Sequence, residues 1–398
     1  MSQQIIEQNS DFTIYKRIVS SKHAFITVSV KNPKATLGQT VEGIYQKLSQ
    51  IIKEDNLHIV LERQFGRIED YEEIQRVRNA VLQAEAIDHT LPITFIQGLP
   101  EWGSGLAGIQ IRAVKLDGPN DEVWTIYDDG IACGRGWHYD STSYIILQDI
   151  HGNDPNDADN SREAQTTRMF EKANRLLKEQ GATYRDVART WIYLDNILEW
   201  YDSFNIVRTG LYKSYGLILD DSQQSPEVDQ LYLPASTGIL GSNPYSASGI
   251  MDVLAIVRKE GSELEVEPNT GTKQKSAFRY GSAFARAMNL REPGCTQILV
   301  SGTASIDDEG HSIYLNDTRE QIKKTFQVVA ALVGKEGATL NDICKATAFV
   351  KCKADVPIYH EVLSELGLEN MPVVCVVADV CREELLFELD AVAVVESK

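Results

Sequence analysis

The sequence predicts an α/β (α+β) chain built from three copies of one strand–helix–strand–helix–strand module. Three observations carry that prediction. First, GATYRDVARTWIYL from Gly181 and GATLNDICKATAFV from Gly337 share Gly-Ala-Thr-x-x-Asp followed by an apolar strand. In each copy a glycine ends a helix, a short polar turn follows, and a β-rich run begins. Second, each repeat is preceded by a segment with one apolar helical face: Phe170, Ala173 and Leu177 in one, Ile322, Phe326, Val329 and Val333 in the other. Third, each copy closes on an apolar strand, GIMDVLAIV and LLFELDAVAVV.

The remaining elements fall into the same order. The strands SYIILQDI and TQILVSGTASI open the two clear copies, and the helices WYDSFNIVRTGLYKSYG and VPIYHEVLSELG follow the repeat strands. The first part of the chain repeats the order more faintly. HAFITVSV reads as a strand, and TVEGIYQKLSQIIKEDN as a helix with Val41, Ile44, Leu48 and Ile51 on one face. HIVLERQFG is a strand, DYEEIQRVRNAVLQAEA a helix and GLAGIQIRAVKL a strand. The modules are placed at residues 12–116, 122–259 and 278–396. The polar stretch KEGSELEVEPNTGTKQK is the linker candidate, with pairing to a neighbouring sheet as its alternative. NDPNDADNSRE reads as a loop.

Composition narrows the function classes. The 398 residues are 43% hydrophobic and 24% charged, as in an ordinary globular protein. The 57 acidic and 39 basic side chains give a formal charge of −18, which repels nucleic-acid backbones and anionic lipid surfaces. No Lys/Arg run forms a basic patch, so neither nucleic acid nor membrane is an expected partner. A small anionic substrate needs only two or three cations and stays compatible. Six scattered cysteines contain no CxxC pair, which points to a reducing compartment and away from zinc. The segment MSQQIIEQNSDF lacks a basic region followed by an apolar stretch, and no apolar run reaches membrane-spanning length, so the expected location is cytoplasmic.

On these residues the chain resembles the RidA/YjgF superfamily, whose members are homotrimers of one such module with clefts between subunits. Within it the chain is similar to the chorismatases, fused-module relatives that hydrolyse chorismate. The resemblance rests on VVADVCREELLFELDAVAV from Val376, YGSAFARA from Tyr280, SGTASID from Ser301, RTWIYLDNI from Arg189 and LPASTGI from Leu233. It implies a trimer fused into one polypeptide, able to stand as a monomer because internal symmetry supplies the interfaces.

Glu388 is the foremost candidate for chemistry. Strand alternation puts Phe387, Leu389 and Ala391 on one face and Glu388, Asp390 and Val392 on the other. A carboxylate in a largely apolar strand is costly unless paired or functional; a solvent-facing edge glutamate is the plainer reading. The sequence alignment of modules sets Ile250 and Gln110 at the matching positions, so only the third module carries a titratable group there. The resemblance implies that Glu388 is the working acid. It also matches Cys381 to a cysteine of one class of chorismatases and Cys375 to the cysteine of the simple deaminases, although either thiol reads equally well as a small buried apolar side chain. The deaminases hold the substrate carboxylate with an arginine two residues before that cysteine. Here the position is Val373, which cannot replace a bidentate clamp.

Other groups are available for an acidic ligand: Arg189, Arg208 with the neighbouring Asn205, Arg279, Tyr280, Arg286 and Arg382. Each arginine taken alone reads as a surface or interface residue. His138 and His360 have no partner at ligand spacing, so no metal site is expected, and ACGRGWHYD lacks the strand–GxGxxG–helix order of a nucleotide site. The expectation is therefore a cofactor-free, chorismatase-like enzyme in which protonated Glu388 gives its proton to the methylene carbon of the enol ether of chorismate. The alternatives are an imine or enamine hydrolase of the same superfamily, disfavoured by Val373, and a non-catalytic small-molecule-binding module.

Overall fold

The computed structural model describes residues 4–102, 105–219, 231–269, 274 and 276–396. The first stretch gives β1 (Gln4–Gln8), β2 (Phe12–Val19), β3 (His23–Val30), α1 (Leu37–Glu54), β4 (His58–Gly66), α2 (Tyr71–Ala84), β5 (Thr94–Gln97), β6 (Leu99–Pro100) and β7 (Leu106–Val114). The second gives β8 (Glu122–Asp128), β9 (Ile131–Tyr139), β10 (Thr142–His151), α3 (Arg162–Glu179), β11 (Val187–Leu194), α4 (Ile197–Ser214), β12 (Ala235–Leu240) and β13 (Gly249–Arg258). The third gives β14 (Glu265–Asn269), β15 (Ala287–Glu292), β16 (Cys295–Ala304), α5 (Thr318–Gly334), β17 (Ile343–Val350), α6 (Val356–Glu365), β18 (Val373–Val377) and β19 (Phe387–Glu396).

These form three sheets, ordered β1-β2-β3-β7-β4-β5, β12-β11-β13-β10-β9-β8 and β14-β15-β16-β19-β17-β18-β6. The predicted strands and helices are present. The short parallel strands β5 and β12 form an edge of the first and second sheets, and β18 takes the same place in the third, where β6 pairs beyond it; the opening hairpins enlarge the sheets. Part of the linker candidate is β14, which pairs with β15; its other end runs into 270–273 and 275, outside the described residues.

The cores explain the layering. Each helix pair buries its apolar stripe on the outer face of its own sheet: Val41, Ile44 and Leu48 on the first, Met169, Phe170 and Phe204 on the second, Ile322, Phe326 and Tyr359 on the third. The opposite faces of all three sheets meet in one shared core that includes Phe25, Phe65, Trp137, Tyr193, Leu299, Val376 and Val392. Sheets therefore face inward and helices outward, because each sheet is apolar on both sides and has two partners to cover it.

The repeat extends to backbone irregularities. The strand between the two helices of each module (β4, β11 and β17) carries a bulge at the same place, between Ile59 and Leu61, Val187 and Arg189, and Ile343 and Lys345. Aligning on these bulges makes Phe65, Tyr193 and Phe349 equivalent. Their partners on the closing strands are Gly108, Ile250 and Glu388. The module-1 counterpart of Glu388 is thus Gly108, correcting the sequence assignment of Gln110 by two residues. Gln110, Asp252 and Asp390 form the next equivalent set. All three reach across an interface. The Gln110 amide donates to the Ala346 carbonyl (2.8 Å) and the Thr347 hydroxyl (3.1 Å). Asp252 accepts from Arg63 and Thr94, and Asp390 accepts from Thr237 (3.0 Å) and Arg189 (3.4 Å). Each module is bonded to the one before it, and the first to the third.

Candidate active site

Glu388 lies on β19 with its side chain on the inner face, opposite Phe387 and Leu389, which pack under the third sheet's helices. It is only 4% exposed. A second bulge, in β16 between Val300 and Thr303, brings Gly302 against it. A Cβ on Gly302 would stand 2.0 Å from Glu388 Oε1. The glycine is there because the carboxyl occupies the space that any side chain needs.

A narrow cleft opens around Glu388. From the second module it takes Tyr201 and Arg208 on α4 and Ser236 and Gly238 on β12. From the third it takes Tyr280, Ser282, Phe284, Arg286, Gly302, Ala304, Ile306, Cys381 and Arg382. An outer vestibule of about 1140 Å³ shares Tyr201, Tyr280, Ser282, Cys381 and Arg382 and adds Asn205, Ile206 and Lys213.

Three guanidinium groups line this cleft. Arg208 is fully buried; its Nη2 donates to Asn205 Oδ1 (2.5 Å), and its Nε has no hydrogen-bond partner among the described residues. Arg286 donates to the Tyr280 hydroxyl. Arg382 donates to the Gly310 carbonyl (2.7 Å). The Tyr280 ring is flanked by Arg286 at 5.3 Å and Arg382 at 5.5 Å, and Phe284 by Arg208 and Arg286. These aromatic faces hold the cations apart and partly offset their mutual repulsion.

Burial pushes the Glu388 carboxyl up to about 8, and Asp390 two residues along the strand adds to the rise; Arg189, Arg286 and Arg382 oppose it. Glu388 is therefore a neutral acid at pH 7, able to donate a proton. Burial likewise pushes the Cys381 thiol up to about 12, with Glu388 adding to it. That thiol is a wall of the cleft and not a thiolate nucleophile.

Glu388, Cys381, Arg208, Tyr280, Arg286 and Arg382 thus line one cleft, with Asn205 at its outer rim. Three candidates stand elsewhere. Arg189 points into the junction of the sheets and bonds Thr237 and Asp390. Arg279, in the turn Ala277–Tyr280, lines neither the cleft nor the vestibule. Cys375 packs under the helices of the third sheet. Its strand β18 pairs with β6 of the first module, so it faces a different interface. Aligned on the central strands, Val373 and Cys375 correspond to Ser236 and Gly238. Ser236 is therefore the clamp position in the cleft of Glu388, and it too lacks a guanidinium. The small residues Ser236, Gly238 and Gly302 escaped the sequence reading as site residues, although glycines inside apolar strands are a signal of close approach.

Among the described residues no group of His, Cys, Asp and Glu is placed to hold a metal ion, and no helix is long and apolar enough to cross a membrane.

The Endoribonuclease L-PSP family matches residues 284–395. A RutC family protein of Pyrococcus abyssi is 34% identical over 97 residues, 24% of this chain and 76% of that protein. A 3-hydroxybenzoate synthase of Streptomyces hygroscopicus is 28% identical over 248 residues, 56% of this chain and 66% of that protein. A chorismatase crystal structure superposes with a TM-score of 0.58 at 18% identity, covering 84% of this chain and 92% of that one.

Proposed function

The chain belongs to the RidA superfamily of RutC and L-PSP proteins, and from that premise we propose that it is a cofactor-independent enzyme of the chorismatase kind, removing the enolpyruvyl group of chorismate or a close analogue as pyruvate. The observation that carries this reading is the pairing of a buried neutral carboxyl with three arginines in one cleft. Chorismate carries two carboxylates and an enol ether, so it needs cations at two points and an acid between them. The similarity to a 3-hydroxybenzoate synthase and the chorismatase fold support the same substrate class.

The chemistry follows from the groups present. Arg208, Arg286 and Arg382 bind the carboxylates and orient the enol ether. Glu388 gives its proton to the terminal methylene carbon, turning it into a methyl group and leaving an oxocarbenium ion on the neighbouring carbon. Water adds to that carbon, and the Glu388 carboxylate takes up the proton released. The resulting hemiketal breaks its bond to the ring oxygen, giving pyruvate and a dihydroxycyclohexadiene carboxylate. If a ring hydroxyl attacks in place of water, a cyclic ketal forms; one ring carbon–oxygen bond then breaks as a ring proton is lost, so pyruvate departs with a ring oxygen and the ring aromatises to a hydroxybenzoate. A glutamate held near pH 8 suits both halves of this cycle.

The imine-hydrolase alternative needs an arginine clamp at Ser236, which the cleft does not have. The test is direct. Purified protein mixed with chorismate should release pyruvate stoichiometrically with loss of the enol ether. No pyruvate from chorismate, with turnover of an imine, would transfer the assignment to the deaminase reading.

A further inference from the structure

We propose that the junction where the three sheets meet holds a small inorganic anion, bound between Lys345, Arg189 and Arg63. Each module sends one cation there: Arg63 on β4, Arg189 on β11 and Lys345 on β17, none more than 4% exposed. All three stand over a single indole ring, that of Trp191, at 4.6, 4.8 and 5.0 Å.

The hydrogen bonds at this junction are unbalanced in one direction. Asp252 and Asp390 are its carboxylates. Asp252 is saturated by Arg63 on one oxygen and by Thr94 and the Asp149 N–H on the other. Asp390 is engaged by Thr237 and Arg189. Arg63 Nη1, Arg189 Nε and Nη1, and the Tyr193 hydroxyl are buried with no hydrogen-bond partner among the described residues. Lys345 Nζ makes no hydrogen bond or ion pair with any described residue; its partner is the Trp191 ring. The unmatched acceptors nearby are Gln110 Oε1 and, beyond Thr94 and Asp252, Gln148 Oε1 and Asp149 Oδ1, none of which bonds the three cations.

With Lys345 protonated, and with Glu388 near Arg189 held neutral, three cations stand against two ionised carboxylates and leave one positive charge inside the protein. A buried charge without a counter-ion is strongly disfavoured, and an indole face compensates only part of it. Water would satisfy donors without neutralising the charge. An anion does both, since guanidinium and ammonium N–H groups are its usual ligands. Burial, and then the charge of Arg63, push Lys345 down to about 7, the response expected of an ammonium lacking its counter-ion. The site is separate from the cleft of Glu388, whose lining contains none of these three residues.

Bromide is the probe, because it can be located by anomalous scattering in crystals of the full chain grown with sodium bromide. The expected result is an anomalous peak in contact with Lys345 Nζ and an Arg189 nitrogen. In solution, thermal unfolding should shift upward saturably with bromide at constant ionic strength, relative to gluconate. Arg208→Ala, which changes the cleft alone, should keep that response, and Lys345→Met should weaken the apparent bromide affinity at least tenfold. A junction occupied by water with no anomalous peak would overturn the proposal. So would a bromide response lost in Arg208→Ala and kept in Lys345→Met, because the anion would then belong to the cleft.

Discussion

The cleft between the second and third modules and the corresponding interface between the first and second share a backbone plan and differ in what fills it. At the first, β19 presents Glu388, the β16 bulge presents Gly302, and the edge strand presents Gly238. At the second, the equivalent residues are Ile250, Asp149 and Phe95. Phe95 packs against Tyr71 at 5.0 Å and fills the place that Gly238 leaves open. The carboxyl has moved to the bulge, where Asp149 adopts φ +58° and is held well above the usual carboxylate range by burial. The interface between the third and first modules is closed differently. Gly108 replaces the glutamate, and a Cβ there would stand 2.7 Å from Val374. β6 adds to β18, and Glu101 pairs with His360 at 2.6 Å. An acid on a buried strand does not by itself make a site; the room around it does, and here that room comes from two glycines and a serine.

The largest effect should come from removing the acid while keeping the room. Glu388→Gln preserves shape and hydrogen bonding but has no proton to deliver. Turnover of chorismate should fall roughly 10²–10⁴-fold with binding largely kept, read as pyruvate release and as ligand affinity. Unchanged turnover would leave Glu388 a structural residue. Next is removing the room while keeping the acid. Gly302→Ala places a methyl group on Glu388 Oε1, so the carboxyl must swing away. A displacement of about 1 Å costs on the order of 100-fold in rate. An active Gly302→Ala enzyme would show that the bulge tolerates side chains, as it does at Asp149.

The sequence made the architecture legible because its evidence repeats: a GAT turn, a stripe, a closing strand, each present in more than one copy. Glu388 was legible as a charge in an apolar strand. Its neighbours from the second module were less so, since they lie more than 140 positions away and several are small. Arg189 was legible as an unusual cation on a strand, yet strand alternation alone does not distinguish a cleft from a junction. The two-residue error at Gln110 has a physical source. Against β4 the closing strand β7 carries a second register shift, between Phe65 and Gly66, that β13 and β19 lack against their own partners, so the start of β7 is out of step with the other closing strands. Cys375 was read by a trimer's logic, in which every cleft is alike. In a fused chain the three have diverged.

A smaller effect should separate the arginines. Arg208→Ala removes one buried cation and leaves Arg286 and Arg382. Losing one partner of a buried charge pair costs at least about 2 kcal/mol, roughly thirtyfold in affinity for a dianion. The expected change is in KM, with kcat falling less and the unfolding temperature little altered. Equal affinity with and without Arg208 would assign the binding to the other two. The pH profile is gentler still. Activity that requires protonated Glu388 should be level below about 8 and decline above it, tenfold per unit at the limit. A limb that stays at the same pH in Glu388→Gln residual activity would belong to another group.

The smallest expected effect is on stability, and it distinguishes the Glu388 cleft from its Ile250 counterpart without any substrate. In the folded chain Glu388 keeps its proton up to about 8, whereas an ordinary glutamate releases it near 4.5. Between those values the unfolded chain gives up a proton that the folded one holds. Glu388 therefore contributes stability that is fully present below about pH 4.5 and is lost as pH rises through about 8. Glutamine carries no such cost. The difference in unfolding temperature between Glu388→Gln and the wild type should move in favour of the variant across this window and level off above it. At about 1.4 kcal/mol per unit the full displacement is an upper bound, and the expected gain is on the order of 1–3 kcal/mol, a few degrees. Ile250→Gln in the equivalent strand should show no such pH-dependent gain. A constant difference between Glu388→Gln and wild type from pH 4.5 to 8 would mean that the carboxyl titrates normally, which would remove the physical basis for its role as an acid.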